Sequence, residues 1–352
     1  VLAATTTLAP GYAIAPVIKG GWQLAGGHGA IDDAQALDDM RAFAEAGITA
    51  FDCADIYTGV EERIGRFLRT WTTRADAARI RVHTKCVPDM AALATLRPAD
   101  IDAIVHRSRA RLGVDRLDLV QFHWWDYAVP GWLEAAQRLA ALRDEGVIAC
   151  VGVTNFDVPR LRAMVQSGVP VAAHQLQYSL LDRRPTHGMA AFCRAHGITM
   201  LCYGALAGGF LHERWLDVAD PAAAGLAALE NRSLVKYRLV IEEFGGWDAF
   251  QALLRTVRDV AARHGATIGS VAIRWVLDQP GVGAAIVGAR HAHHLPATLA
   301  AVALRLDADD HATLRAATAA ARGPAGDCYE LERVPGGRHA VIMKTNLNRI
   351  DT

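Results

Sequence analysis

Four side chains near the front of the sequence have the chemistry of a proton-transfer site: Asp52, Tyr57, Lys85 and His123. Each stands at or just beyond the end of a short apolar run. A tyrosine hydroxyl ionises near pH 10, so moving its proton at neutral pH calls for neighbouring positive charge that stabilises the phenolate. Lys85 can supply that charge, Asp52 can hold Lys85 protonated and in place, and His123 can hydrogen-bond a substrate oxygen. The set has an acid and an oxyanion partner but no obvious nucleophile, which suits reduction of a carbonyl group by an external hydride donor. Spacing alone leaves blander readings open: a buried ion pair, a core histidine, a loop tyrosine. Composition adds a hint, because only Lys19, Lys85, Lys236 and Lys344 among the 37 basic residues are lysines. A lysine kept in an arginine-rich chain suggests a role that needs proton loss or a compact point charge.

These residues need a scaffold, and its elements are visible as hydrophobic periods. Strands are predicted at 16–20, 50–54, 80–84, 117–123, 147–153, 171–175, 198–203 and 283–287. Helical stripes fall at 33–46, 60–71, 99–112, 132–144, 158–166, 185–196, 249–264 and 294–303. Eight strand-helix units in alternation predict an α/β fold, a single (β/α)₈ TIM barrel over about residues 14–303. Gly204 to Trp247 forms a long loop after strand seven, and a C-terminal extension over 306–352 is expected to close over the active site within one domain, 1–352. In such barrels the working residues sit at the C-terminal strand ends. That rim would collect the four residues above with Thr154, Asn155, Gln175, Tyr203 and the stretch Gly288 to Arg290.

Composition sets the bounds. With 37 basic and 37 acidic residues and 52% hydrophobic content, the 352-residue chain has neither the charge of a nucleic-acid binder nor the polarity of a disordered one. Six cysteines (Cys53, Cys86, Cys150, Cys193, Cys202, Cys328) without a C-x-x-C pair indicate reduced, cytoplasmic usage. No apolar run of membrane-spanning length occurs, and no charged front end of a signal peptide precedes Lys19, so neither a membrane nor a nucleic acid is expected as a partner.

Seven segments in order, FDCADIY from Phe51, HTKC around Lys85, LDLVQFHWWDY from Leu117, GVTNFD from Gly152, QLQYSLLDRR from Gln175, YGALAGGFL from Tyr203 and IVGAR from Ile286, together resemble an aldo-keto reductase. The resemblance spans nearly the whole barrel and implies a catalytic tetrad at Asp52, Tyr57, Lys85 and His123. It also implies an extended nicotinamide cofactor, with Thr154, Asn155 and Gln175 on the carboxamide and Tyr203 stacked on the ring. Gly204, Ala205, Leu206 and Gly208 would offer backbone to the pyrophosphate, and Gly288, Arg290, His294 and Thr298 would face the adenosine phosphate. Gly21, in a glycine-rich stretch that includes Gly20, Gly26, Gly27 and Gly29, is a further cofactor candidate. Ala297, Thr298 and His294 depart from the Glu-Asn and Arg common in the family, while Arg290 offers a 2′-phosphate partner and favours NADP(H) over NAD(H).

The implied activity is reduction of an aldehyde or ketone, or its reverse, on a small carbonyl or alcohol substrate. Trp22, Trp124 and Trp125 on rim loops are candidate substrate walls and suggest a hydrophobic or aromatic molecule. The cluster His291, His293 and His294 lacks a nearby Cys or carboxylate in sequence, so no metal is expected. Two rivals stand beside this reading: a lyase using Lys85 as a Schiff-base amine, and a cofactor-binding regulatory subunit.

Overall fold

A computed structural model describes residues 5–26, 29–74, 79–288, 291–319 and 321–348. The chain starts with an antiparallel hairpin, β1 (Thr6–Ala9) and β2 (Tyr12–Ile14). Eight parallel strands then close a barrel in sequence order: β3 (Val17–Gly20), β4 (Ala50–Asp52), β5 (Arg81–Cys86), β6 (Leu117–Phe122), β7 (Ile148–Thr154), β8 (Val171–Gln177), β9 (Thr199–Tyr203) and β10 (Val282–Val287). Closure is made by β10 on β3, with Ile286 opposite Ile18. The barrel strands read as nearly continuous apolar runs because both faces are covered, by the barrel interior and by the helices.

Around the barrel lie α1 (Asp33–Glu45), α2 (Val60–Trp71), α3 (Pro98–Leu112), α4 (Trp132–Asp144), α5 (Val158–Gln166), α6 (Met189–Ala195), α7 (Arg232–Phe244), α8 (Gly246–Arg263), α9 (Ile268–Leu277) and α10 (Leu295–Ala303). Local chemistry marks several starts: Asp32 caps α1, Asp157 caps α5, Asn231 caps α7 and Thr267 caps α9, each accepting a backbone N–H three residues on. The hairpin supplies Leu8, Tyr12 and Ile14 to an interior cluster with Ile18, Leu119, Leu201 and Ile286. The interior strand positions Ala50, Ala173 and Ala284 are small enough to share that cluster.

The predicted eight-unit barrel is present, with differences that have physical causes. The hairpin precedes the first expected element. The helix expected over 185–196 is a 3₁₀ turn (Arg184–Thr186) followed by α6, because Gly188, at φ 105°, breaks the path. Helix α9 was not expected: its sequence IGSVAIRWVL is packed between α8 and α10 and carries no polar stripe to reveal a period. The loop after β9 contains α7, and the extension contains α11 (Ala308–Ala319), which Asp310 ties to Arg263 and His264 of the α8 end. Among the described residues no helix is long and apolar enough to cross a membrane.

Candidate active site

The C-terminal strand ends surround a cavity of about 640 Å³. Asp52 ends β4, Lys85 stands one residue before the end of β5, His123 follows β6, and Tyr57 occupies the turn before α2. The four side chains all line this cavity. The Lys85 ammonium donates to both Asp52 oxygens at 3.0 and 2.8 Å and to the Cys53 carbonyl at 2.7 Å, so its three protons all have acceptors. Its Nζ lies 5.0 Å from the centre of the Tyr57 ring.

Buried charge must be paired or hydrogen-bonded, and here it is both. The amides of Gln121 and Gln175 donate to Asp52 Oδ1 at 3.2 and 2.5 Å. Burial alone would lower the Lys85 pKa, but Asp52 and Tyr57 outweigh it and hold the ammonium well above the usual lysine range. Tyr57 departs from the simple expectation. Burial raises its phenol above pH 10, and the opposing pull of Lys85 does not overcome it, so the hydroxyl keeps its proton at neutral pH.

His123 is buried beside the Arg333 guanidinium; burial first, then that charge, bring its pKa down to about 3. Its Nδ1 lies 3.2 Å from the Thr154 carbonyl oxygen, which can only accept, so Nδ1 carries the ring proton. Nε2 is left as a buried acceptor without a protein partner. Trp125 meets the His123 ring edge-on at 4.4 Å and is fixed by its own N–H on the Pro88 carbonyl at 3.0 Å. Trp22 meets Tyr57 in the same way at 5.1 Å.

Of the three candidate wall tryptophans, Trp22 and Trp125 line the cavity and Trp124 does not. Trp124 is fully buried against Phe122, with its indole N–H on the carbonyls of Asp126 and Val129. Gly21 is likewise absent from the lining, where its neighbour Gly20 appears. A Cβ at Gly21 would lie 2.6 Å from the Asp52 carbonyl oxygen, so this glycine serves the close approach to β4.

Thr154, Asn155, Gln175 and Tyr203 all line the cavity. Asn155 adopts φ 63° and accepts from the Tyr203 hydroxyl at 2.9 Å. Gly204, Ala205, Leu206 and Gly208 follow on the same wall. The glycines there answer to a helix: a Cβ on Gly204 or Gly208 would meet the Tyr237 side chain of α7 at 2.3 and 2.6 Å, and both have positive φ. Gly288, His294 and Thr298 line the far end, where the Thr298 hydroxyl donates to the His294 carbonyl. Arg290 and Gly27 lie outside the described residues. Asp39 of α1 brings the histidine cluster the carboxylate that its sequence lacked, accepting from His291 Nδ1 at 3.2 Å and from the Ala292 N–H at 2.8 Å. Among the described residues no three metal-ligating groups converge.

Several lining residues were not anticipated. Tyr329 of the extension meets the His123 ring edge-on at 5.5 Å, Met343 and Lys344 follow, and Lys236 enters from α7. The extension is pinned around the rim. Glu332 clasps buried Arg184 at 2.9 Å, and Arg232 donates to the Ile342 carbonyl at 2.5 Å. Beyond the cavity, Asn348 donates to Asp55 at 2.6 Å and to the Val87 carbonyl at 2.5 Å. Only the scarcity of lysine pointed toward Lys236 and Lys344.

A barrel of this closure, with a cavity across its C-terminal rim, belongs to a class of enzyme scaffolds whose chemistry lies in the loops. The chain belongs to the Aldo/keto reductase family, whose sequence model matches residues 16–319. It is 27% identical over 297 residues to an aldo-keto reductase of Bacillus subtilis, covering 83% of this chain and 86% of that one. It is also 27% identical to an NADH-specific methylglyoxal reductase of Escherichia coli, covering 84% and 92%. Similarity extends to flagellar radial spoke protein 5 of Chlamydomonas reinhardtii, 29% identical, though the match spans only 49% of that longer relative. Among solved structures, a glycerol dehydrogenase from Gluconobacter oxydans superposes with a TM-score of 0.73 at 24% identity over 90% of this chain and 95% of that one. Family membership makes the protein an oxidoreductase of carbonyl-reducing type, with a nicotinamide cofactor.

Proposed function

We propose that this protein, as a single-domain barrel in the cytoplasm, reduces an aldehyde or ketone to an alcohol with NADP(H) in preference to NAD(H), Tyr57 acting as the proton donor. The observation that carries the reading is the half-buried Tyr57, its ring centre 5.0 Å from an ammonium whose every proton is already placed. Bound in the cavity, a nicotinamide would supply or take up the hydride. The chain's own residues do the rest. Tyr57 gives its proton to the carbonyl oxygen as negative charge develops there, and the fixed charge of Lys85 stabilises the phenolate left behind. Asp52, Gln121 and Gln175 keep Lys85 in position. With Nδ1 protonated, His123 accepts at Nε2 and engages the hydroxyl of the alcohol.

The residues present fit the cofactor. Tyr203 offers a ring wall at the cavity beside the turn that begins at Gly204, whose backbone is left without a Cβ. Setting aside the paired Lys85 and Asp52, and Lys236, whose ammonium lies among the Tyr203, Tyr237 and Tyr329 rings, the lining carries Arg214, Arg232 and Lys344 against the single carboxylate of Glu213. That cationic surplus suits a phosphate-rich molecule and supports NADP(H). A lyase using Lys85 is disfavoured by the same geometry, because a protonated amine with its hydrogens on Asp52 and Cys53 is a poor nucleophile. Titration with NADPH and, separately, NADH, followed by quenching of tryptophan fluorescence, tests the cofactor reading. Micromolar affinity for NADPH, tighter than for NADH, is expected; no binding of either at millimolar concentration would overturn it.

A further inference from the structure

Lys236 has no role in the chemistry above, yet it lines the same cavity. Its ammonium is held over three ring faces, 4.9 Å from the centre of Tyr203, 5.6 Å from Tyr237 and 5.7 Å from Tyr329. Among the described residues it has neither a hydrogen-bond acceptor nor an ion-pair partner within contact. The two carboxylates whose field it feels, Glu332 and Asp182, are both committed to Arg184, at 2.9 and 2.7 Å, and Asp182 also accepts from Gln177. Two of the three ring hydroxyls are turned elsewhere, Tyr203 to Asn155 and Tyr329 to the Met343 sulfur.

Aromatic faces stabilise a cation but leave its N–H groups without acceptors. Burial accordingly lowers the Lys236 pKa, the field of Glu332 opposing the shift. An ammonium so placed gains most from an anion that enters the cavity and takes up those donors. Its position specifies which one. Tyr329 touches Lys236 on one side and the edge of His123 on the other, so a single ring separates the cation from the end of the site where the carbonyl would react. Trp22, against Tyr57, and Trp125, against His123, add aromatic surface to the reacting end of the cavity.

We propose that Lys236 recognises an anionic group on the substrate, so that the preferred substrates are aldehydes or ketones carrying a carboxylate about one aromatic ring away from the carbonyl. This rests on the carbonyl-reductase reading above. An ammonium is a compact point charge with three donors that a carboxylate can accept, and this position is one of the four where the chain kept lysine.

The test compares 4-carboxybenzaldehyde with its methyl ester, which keeps the ring and carbonyl and removes the charge. In the wild-type protein with NADPH, kcat/KM for the acid should exceed that for the ester by about tenfold or more. K236M should collapse this ratio toward one through the KM of the acid, K236R should restore most of it, and the NADPH dissociation constant should stay within about threefold. No acid preference in the wild type would overturn the proposal, as would equal losses for acid and ester in K236M. A K236M defect confined to NADPH affinity would instead assign the ammonium to a cofactor phosphate and equally overturn it. If neither aldehyde is reduced, the carbonyl-reductase reading fails, and tryptophan fluorescence still decides the anion site. Tighter binding of 4-(hydroxymethyl)benzoate than of its methyl ester, lost in K236M, supports it; equal binding refutes it.

Discussion

The two ends of the cavity are built differently. At the Tyr57 end, Asp52, Lys85, Gln121 and Gln175 project from barrel strands, are all buried, and are joined around Asp52 by bonds of 2.5–3.2 Å. At the far end, Gly288, His294, Ala297 and Thr298 sit on a loop and on the start of α10, and the Thr298 hydroxyl is turned back on its own helix. The first end is fixed by strand register, which a closed barrel barely allows to slip. The second depends on loops, whose geometry is free to vary. In the proposed function, chemistry sits where the scaffold is rigid, and cofactor choice where it is adjustable.

This contrast can be broken by substitution. Lys85→Met should lower kcat by roughly 10²–10⁴-fold, because it removes the charge that stabilises the phenolate; unchanged turnover in a variant shown by circular dichroism to be folded would deny the rigid end its role. Asp55, next to that end, tests how the extension is held. Burial raises its pKa to about 7, with Asn348 and the Val87 N–H favouring the ionised form against that shift. A folded-state pKa above the unfolded value of about 4 means that Asp55 contributes stability at low pH, which is lost as the pH climbs from about 4 to about 7. The melting temperature of the wild type should therefore carry a decline over that window that Asp55→Asn lacks; parallel curves would count against a protonated Asp55. The smallest effect is expected at the far end. Thr298→Ala should change cofactor affinity by less than about threefold, since its hydroxyl already has a partner, and a tenfold loss would show that the hydroxyl turns to the cofactor.

How much of this was legible in the sequence follows the same division. Asp52, Lys85 and His123 could be placed because a strand end is marked by the close of an apolar run and the barrel then dictates who shares the rim. Trp124 and Trp125 could not be told apart, since adjacent loop residues face opposite ways and either can be the core plug; the indole of Trp124 is the one enclosed. Tyr329 and Lys344 reach the site from more than 200 residues beyond His123, a proximity no local pattern records. Gly204 and Gly208 were anticipated for approach to a pyrophosphate, whereas the Tyr237 ring already demands them. Lysine scarcity proved informative beyond Lys85, for three of the chain's four lysines line the cavity.

The central claim is that Tyr57 delivers the proton in a nicotinamide-dependent carbonyl reduction. Its most direct test is the rate of NADPH oxidation with an aromatic aldehyde by wild type and Tyr57→Phe, paired with the NADPH dissociation constant of each. The expected result is a loss of at least about 10³-fold in kcat with cofactor affinity unchanged, as befits a group that acts only in the transition state. Turnover retained in the variant within a few-fold of wild type would contradict the account.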